Sequence, residues 1–192
     1  MRRGVIVGLF AALLVVQIAT PLTMIAQRER LLKEGEQFKF KTIPFDPYDA
    51  FRGRYISLRV EDSKVPYVLG IDCERDQRIY AHIVVDDQGY AKLSGISKGV
   101  PKGKPYITAR VSYLHGGDVF IDLPIDRYYL EEKAAPAAER IYRQYTDRRK
   151  KNRQDAYVLV RVKDGRVAIE GFYVGGRKIE DIVREESGKG YK

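Results

Sequence analysis

The chain has 192 residues, of which 44% are hydrophobic and 32% charged, and its formal net charge is +9 at pH 7. This length allows one globular domain plus an attached segment. Cys73 is the only cysteine, which excludes an intramolecular disulfide bond. The positive charge is not accompanied by a recognised nucleic-acid motif, so we expect no nucleic-acid partner.

Residues 1–26 are predicted to form an N-terminal membrane anchor. Two arginines precede residues 4–26, which contain no charged side chain. At a rise of about 1.5 Å per residue, such a segment can cross a hydrocarbon core about 30 Å thick. The alternative is a signal peptide cleaved before Gln27, but Met24 stands where a cleavage site needs a small residue. We therefore expect an uncleaved, single-pass anchor in the cell membrane.

The orientation of this anchor is not decided by its flanking charges. Two arginines and the free amine precede it, whereas the basic residues Arg28, Arg30, Lys33, Lys39 and Lys41 follow it. This count favours a cytoplasmic C-terminus. The rule weakens when a long domain follows the helix, as it does here. The residues alone leave both sides of the membrane open.

A short stalk, residues 27–37, is predicted to lead into a β-rich domain, residues 38–185. Apolar and polar residues alternate with period two along this domain, which predicts strands with one buried face. The apolar positions are Phe38 and Phe40, then Ile56, Leu58 and Val60, then Ile79, Ala81, Ile83 and Val85, and then Ile107, Ala109, Val111 and Tyr113. Turn residues at 86–89, 115–118 and 163–165 predict hairpins, so the strands should pair antiparallel.

One segment, residues 134–151, breaks this period. Ala138, Ile141, Tyr142 and Tyr145 recur at helical spacing and predict a single amphipathic helix. Residues 186–192 are expected to be a disordered tail. The fold class is therefore mainly β, with a single N-terminal transmembrane helix and an antiparallel β-rich domain that carries one amphipathic helix. The chain has no glycine-rich phosphate loop, so a nucleotide-binding α/β fold is not indicated.

The predicted helix and the residues after it are strongly basic. Residues 140–153 contain seven basic residues and one acidic residue, Asp147. A patch of this kind near a bilayer gains about 1 kcal/mol per charge from anionic headgroups. The candidate lipid contacts are Arg140, Arg143, Arg148, Arg149, Lys150, Lys151 and Arg153. The alternative is an ordinary solvated helix face.

No metal or cofactor is indicated by the residues. His82 and His115 are far apart in the sequence. A cluster of Cys73, His82 and Asp72 is not favoured, because period-two counting places His82 on the less apolar face of its strand. Cys73 is interpreted as a small buried residue. No catalytic or metal-binding residue is assigned.

An enzymatic alternative comes from a partial similarity to type I signal peptidases, which also combine an N-terminal anchor with a β-rich domain. Their chemistry needs a nucleophilic serine soon after the anchor and a lysine general base. The first serine of this chain is Ser57, which lies inside a predicted strand. A signal-peptidase-like enzyme, or one acting on a wall polymer, is therefore kept only as the alternative to a non-enzymatic protein.

The stretch RGRYISLRV, residues 52–60, resembles the motif that names the GDYXXLXY family. Gly53, Tyr55 and Leu58 match the motif, whereas Arg54 replaces its Asp and Val60 replaces its last Tyr. The anchor, the turn-rich DPYDAFRG, the segment DRYYLEE and the closing hairpin VRVKDGRVAIEGFYVGGRKI are also similar to the family's plan. The resemblance implies a membrane-anchored protein of uncharacterised function with an extracytoplasmic domain. Some members resemble products found together with multi-pass membrane proteins.

The motif also has a physical interpretation. Gly53 permits a positive φ, Leu58 supplies a core contact, and Tyr55 on the opposite face can cover the preceding turn. This makes the stretch a bend that organises the sheet. The alternative is a ligand or partner groove lined by Tyr48, Tyr55 and Arg59. We expect a non-enzymatic accessory module for a multi-pass membrane protein, with an enzyme or an anionic-lipid-binding structural protein as alternatives.

Overall fold

The structure is a computed structural model that describes residues 2–44, 55–67, 73–131, 134–146 and 155–189. Three helices occur in this part of the chain: α1 at Arg2–Glu34, α2 at Ala135–Thr146 and α3 at Ile179–Lys189. The strands are β1 Glu36–Pro44, β2 Tyr55–Val60, β3 Lys64–Pro66, β4 Arg78–Val85, β5 Ala91–Ser97, β6 Tyr106–His115, β7 Asp118–Asp122, β8 Arg127–Tyr129, β9 Ala156–Lys163, β10 Arg166–Val174 and β11 Arg177–Lys178.

The N-terminal helix α1 is long and apolar enough to cross a membrane, and its apolar segment contacts no other part of the fold closely enough to be buried. The helix continues through Pro21 to Glu34. The segment predicted as a stalk is therefore the last part of α1 together with Gly35 and the first two residues of β1. No change of secondary structure marks the predicted boundary at residue 26.

The strands form two antiparallel sheets. One has six strands in the order β11-β10-β9-β1-β2-β8, and the other has five in the order β3-β7-β6-β4-β5. The chain passes between them twice near one corner, from β2 through a turn at 61–62 into β3, and from β7 through residues 123–126 into β8. The prediction of an antiparallel, mainly β fold is confirmed.

One continuous core unites the sheets, and it is made of the apolar faces that alternation predicts. Phe40, Ile79, Ile107 and Val111 are fully buried. The prediction is wrong for two residues of these faces, since Val85 is 56% exposed and Tyr113 is 50% exposed. Val85 ends its strand.

Tyr113 is turned outward by a bulge in β6. The register of β6 against β7 shifts between Val111 and Tyr113, so one extra residue reverses the facing of the side chains that follow. Tyr113 then stacks on Phe120 with ring centroids 4.3 Å apart. Period-two counting cannot anticipate this reversal because the extra residue leaves no mark in the alternation.

Helix α2 follows the prediction over its described length. Ala138, Ile141 and Tyr142 are buried, and the Tyr142 ring packs edge-on against Phe172 with centroids 4.8 Å apart. The predicted residues 147–151 lie outside the described part of the chain.

Helix α3 adds a second amphipathic helix to the one that was predicted, and it packs against α2. The helix spans Ile179–Lys189, so it includes the first residues of the segment 186–192. Its apolar residues Ile179, Ile182 and Val183 have helical spacing, and Glu180 in its first turn accepts a hydrogen bond from the Tyr128 hydroxyl. This spacing was the available signal, in a segment too short to stand out beside the preceding hairpin.

Candidate functional site

A groove of about 920 Å³ lies at the corner where the chain passes between the two sheets. Its walls come from β2, β4, β6 and β7 and from the connection between β7 and β8. The charged lining consists of Arg59, Arg78, Arg110 and Arg127 with Asp122 and Asp126. Hydroxyl groups of Tyr55, Ser57, Ser63 and Thr108 also line it. The groove therefore combines polar and apolar surface, and arginine is its most frequent charged residue.

Arg78 and Arg110 face each other directly across β4 and β6. Like charges opposite one another in a sheet are destabilising. Within the described residues, neither guanidinium lies within 4.0 Å of a carboxylate, although Asp122 is the register partner of Arg110 on β7. Arg110 instead donates a hydrogen bond of 3.0 Å to the backbone carbonyl of Asp76. The Arg78 guanidinium lies 5.8 Å from the centroid of the Tyr80 ring, so within the described residues the positive charge of the pair is offset by a ring and a carbonyl and not by an ion pair.

Aromatic rings flank a third arginine on the other wall. Tyr55 and Tyr129 are register partners on β2 and β8, with ring centroids 5.7 Å apart. The guanidinium of Arg127 lies 5.2 Å from the centroid of the Tyr55 ring and 3.2 Å from the Asp126 carboxylate. This wall combines apolar ring surface with a cation held over it.

The structure brings three of the five predicted motif residues to this corner. Tyr55 and Arg59 line the groove from the outward face of β2, while the buried Leu58 donates its backbone N–H to the Asp126 carbonyl at 2.8 Å. Tyr48 and Gly53 lie outside the described residues.

Arg78, Arg110 and Arg127 were not identified as site residues from the sequence. Alternation placed the first two on the outward faces of their strands, but it does not say which strands are neighbours. Arg127 belongs to the DRYYLEE segment, which was noted for its resemblance and not for a site. The missing information was the pairing of strands far apart in the sequence.

The predicted lipid-binding stretch is only partly described. Arg143 pairs with Glu139 at 2.8 Å along α2, and Arg140 lies 3.9 Å from Glu186 of α3. These two arginines are thus engaged in ion pairs within the domain. The other predicted contacts, Arg148, Arg149, Lys150, Lys151 and Arg153, lie outside the described residues.

The C-terminal end of α1 is docked on the hairpin formed by β9 and β10. Arg166 donates a hydrogen bond of 2.9 Å to the Gln27 side chain, and Lys163 forms an ion pair with Glu34. Arg161 donates to the carbonyl of Gly35 at 3.2 Å. A Cβ at residue 35 would lie 2.5 Å from the Leu31 carbonyl oxygen, so this close approach requires glycine. The helix is held against the domain at three points.

The tip of the same hairpin also contacts the groove wall. Gly165 has a φ of +74°, and its carbonyl accepts a 2.8 Å hydrogen bond from the backbone N–H of Thr108. A Cβ at residue 165 would lie 2.5 Å from both the Thr108 Oγ1 and a ring carbon of Tyr106. Because Thr108 lines the groove, the hairpin links α1 to the groove through direct contacts.

The candidate nucleophiles are not arranged as a catalytic dyad within the described residues. The groove lining contains Ser57 but no lysine or histidine. The other serine of interest, Ser97, lies 3.0 Å from His82 and donates its only hydroxyl proton to the Gly99 carbonyl. His82 must therefore donate to Ser97, which is the reverse of general-base activation. No group of three potential metal-ligating side chains occurs in the described ranges.

Comparison with known proteins identifies the family of the chain. The family model described as GDYXXLXY protein matches residues 17–172, which is most of the chain, so the protein belongs to this family. The match includes the groove, α2 and all but the last residues of the β9–β10 hairpin. No curated protein and no solved structure gave a significant match.

Proposed function

We propose that this member of the GDYXXLXY family is a single-pass membrane protein whose β-rich domain is a non-enzymatic binding module for a multi-pass membrane protein. The observation that carries the proposal is the groove in which Arg78 and Arg110 oppose each other, with no carboxylate of the described residues within 4.0 Å of either guanidinium. Helix α1 serves as the anchor. The domain lies on the extracytoplasmic side, as the family resemblance implies.

The chemistry of the groove favours an acidic segment of the partner. Four arginines and two aspartates line it, and guanidinium groups bind carboxylates through paired hydrogen bonds. A carboxylate placed between Arg78 and Arg110 would replace their repulsion with attraction. The rings of Tyr55 and Tyr129 offer apolar contact beside it, and tyrosine and arginine are both enriched at protein interfaces.

The anchor makes a membrane protein the preferred class of partner. From the end of the uncharged segment at residue 26 to Gly35, an α-helix rises only about 14 Å. The hairpin that contacts this part of α1 also contacts Thr108 in the groove wall. The groove is thus linked rigidly to a point close to the bilayer, within reach of a short loop of an integral membrane protein.

The first test is affinity isolation of the full-length protein from gently solubilised native membranes, with mass spectrometry of the associated proteins. We expect a stoichiometric multi-pass partner with the wild type. The double variant R78Q/R110Q should retain less than a tenth of it, because each lost charged hydrogen bond is worth about 1.5–3 kcal/mol.

The matched control is R177Q/R184Q, which removes two exposed arginines near the opposite edge of the six-stranded sheet. This variant should retain the partner. Isolation of the wild type alone would overturn the accessory role, and equal retention by both double variants would overturn the assignment to the groove.

The side of the membrane is tested by labelling a single cysteine. In a Cys73→Ser background, Lys102→Cys places a thiol in an exposed turn between β5 and β6. A membrane-impermeant maleimide should label it in intact cells. Labelling that occurs only after permeabilisation would place the domain in the cytoplasm.

A further inference from the structure

The junction between α1 and the β9–β10 hairpin offers a second site. We propose that Arg30 and Arg166 together bind the headgroup phosphate of an anionic phospholipid. This inference rests on the proposed insertion of α1 into a membrane. It does not depend on the groove or on a protein partner.

Gln27 and Arg166 lie at the depth of the lipid phosphates. Gln27 directly follows residues 4–26, which contain no charged side chain, so it lies where the hydrocarbon core ends and lipid phosphates begin. Arg166 donates a 2.9 Å hydrogen bond to the Gln27 side chain. The hairpin therefore holds a guanidinium group at the level of the phosphates, although Arg166 is far from the anchor in the sequence.

Arg30 lies on the face of α1 that meets the hairpin. Residues three and four apart lie on one side of a helix, so Gln27, Arg30 and Glu34 share a face. Gln27 and Glu34 both contact the hairpin, through Arg166 and Lys163. Arg30 lies between them along this face and is exposed. Arg30 and Arg166 are therefore on the same side of the helix, since Arg166 is bonded to Gln27.

The charges of Arg30 and Arg166 have no close ion-pair partner. Neither Arg30 nor Arg166 lies within 4.0 Å of a carboxylate in the described residues, whereas Lys163 is paired with Glu34 and Arg161 with Glu170. The Lys163–Glu34 pair fixes the helix to the hairpin, and the Arg161–Glu170 pair joins the two strands of the hairpin. Arg30 attracts Glu34 only from a longer distance, and both Arg30 and Arg166 lie on the bilayer side of the Lys163–Glu34 pair.

These contacts select an anionic lipid over a zwitterionic one. Two guanidinium groups can bind a phosphate through several charge-assisted hydrogen bonds. A choline headgroup would bring its own positive charge close to them, but a glycerol headgroup brings none. The Thr108–Gly165 hydrogen bond holds the hairpin tip in place, so Arg166 is already positioned before the lipid binds.

The test uses the full-length protein reconstituted in bilayer nanodiscs of equal parts phosphatidylglycerol and phosphatidylcholine. Native mass spectrometry after release from the disc counts the lipids that stay bound. We expect about tenfold more bound phosphatidylglycerol than phosphatidylcholine, and this preference should fall as salt is raised. The double variant R30Q/R166Q should lose it.

The matched control is R28Q/K33Q, which removes two charges from the same part of α1 but on faces turned away from Gln27. It should keep the preference for phosphatidylglycerol. Equal loss in both variants, or an equal yield of the two lipids with the wild type, would overturn the site.

Membrane insertion is scored separately, by flotation of the wild-type protein with vesicles after an alkaline wash. A protein that does not float fails as an anchored protein, and the lipid site fails with it. A protein that floats but shows no lipid preference overturns the lipid site alone and leaves the proposed binding module intact.

Discussion

The ion-paired cations at the junction between α1 and the β9–β10 hairpin and the arginine pair in the groove have opposite surroundings. Lys163 pairs with Glu34 and connects the hairpin to α1, whereas Arg161 pairs with Glu170 and joins the two strands of the hairpin. Arg78 and Arg110 instead oppose each other across neighbouring strands. Ion-paired cations contribute to holding these elements together, whereas like charges that face each other cost stability unless a ligand neutralises them. The difference distinguishes structural ion pairs from the arginine pair of the proposed binding groove.

The largest expected effect concerns Gly165, where the two regions meet. Gly165→Ala should lower the free energy of unfolding by about 2–5 kcal/mol. About 1–2 kcal/mol comes from the positive φ and about 1–3 kcal/mol from overpacking against Thr108 and Tyr106. Thermal unfolding of the detergent-solubilised protein measures the loss.

Gly89→Ala is the matched control for this substitution. Gly89 also has a positive φ, +79°, but a Cβ there would have no neighbour within 4 Å. Gly89→Ala should therefore lower the free energy of unfolding only by the cost of the positive φ. If the two variants lose equal stability, the close packing between the hairpin tip and β6 adds nothing to the cost of the substitution at residue 165.

A smaller effect is expected from the ion pair at the junction. Arg161 donates a 2.6 Å hydrogen bond to Glu170, which, with a further bond from Gln37, holds the pKa of Glu170 below its usual value. A carboxylate whose pKa is lowered by folding stabilises the protein above its unfolded pKa of about 4.3, and the contribution is lost as pH falls through the folded value.

Glu170→Gln should therefore cost about 0.5–1 kcal/mol at pH 7, since both side chains are partly exposed to solvent. The difference between variant and wild type should shrink toward pH 3. Chemical unfolding at a series of pH values measures it, and a difference that does not change with pH would contradict the assignment.

The smallest effect should have the opposite sign. Arg78→Gln removes one member of the like-charged pair and should raise the free energy of unfolding by about 0.3 kcal/mol at low salt. At about 1 M salt, where charges are screened over about 3 Å, the gain should disappear. Lys163→Gln at the junction is the comparison and should destabilise. A loss of stability in both variants would show that the groove arginines also hold the fold together.

Much of the fold could be predicted because its signals are local. An uncharged stretch such as residues 4–26 can cross a bilayer only as a helix, since backbone groups in hydrocarbon must bond to one another. Alternation identified the buried faces of β2, β4 and β6. The exception, Tyr113, depended on a bulge that register alone reveals.

The candidate site could be predicted only in part. Tyr55 and Arg59 were identified because they share a strand and a recognisable motif. Their neighbours in the groove, Arg78 and Arg110, come from β4 and β6. Helix α3 was missed because its apolar residues cover a core that only the assembled sheet exposes.

The sequence by itself determined a helix long and apolar enough to cross a membrane, the antiparallel class and most of the buried strand faces, because hydrophobic burial and backbone hydrogen bonding act through local period and composition. Only the tertiary structure decided which charges meet. Arg166 reaches Gln27, and Arg78 opposes Arg110, through strand registers set by packing between distant segments. Charge is a property of single residues. Whether a charge is compensated depends on the residues that lie next to it, and the fold determines which residues these are.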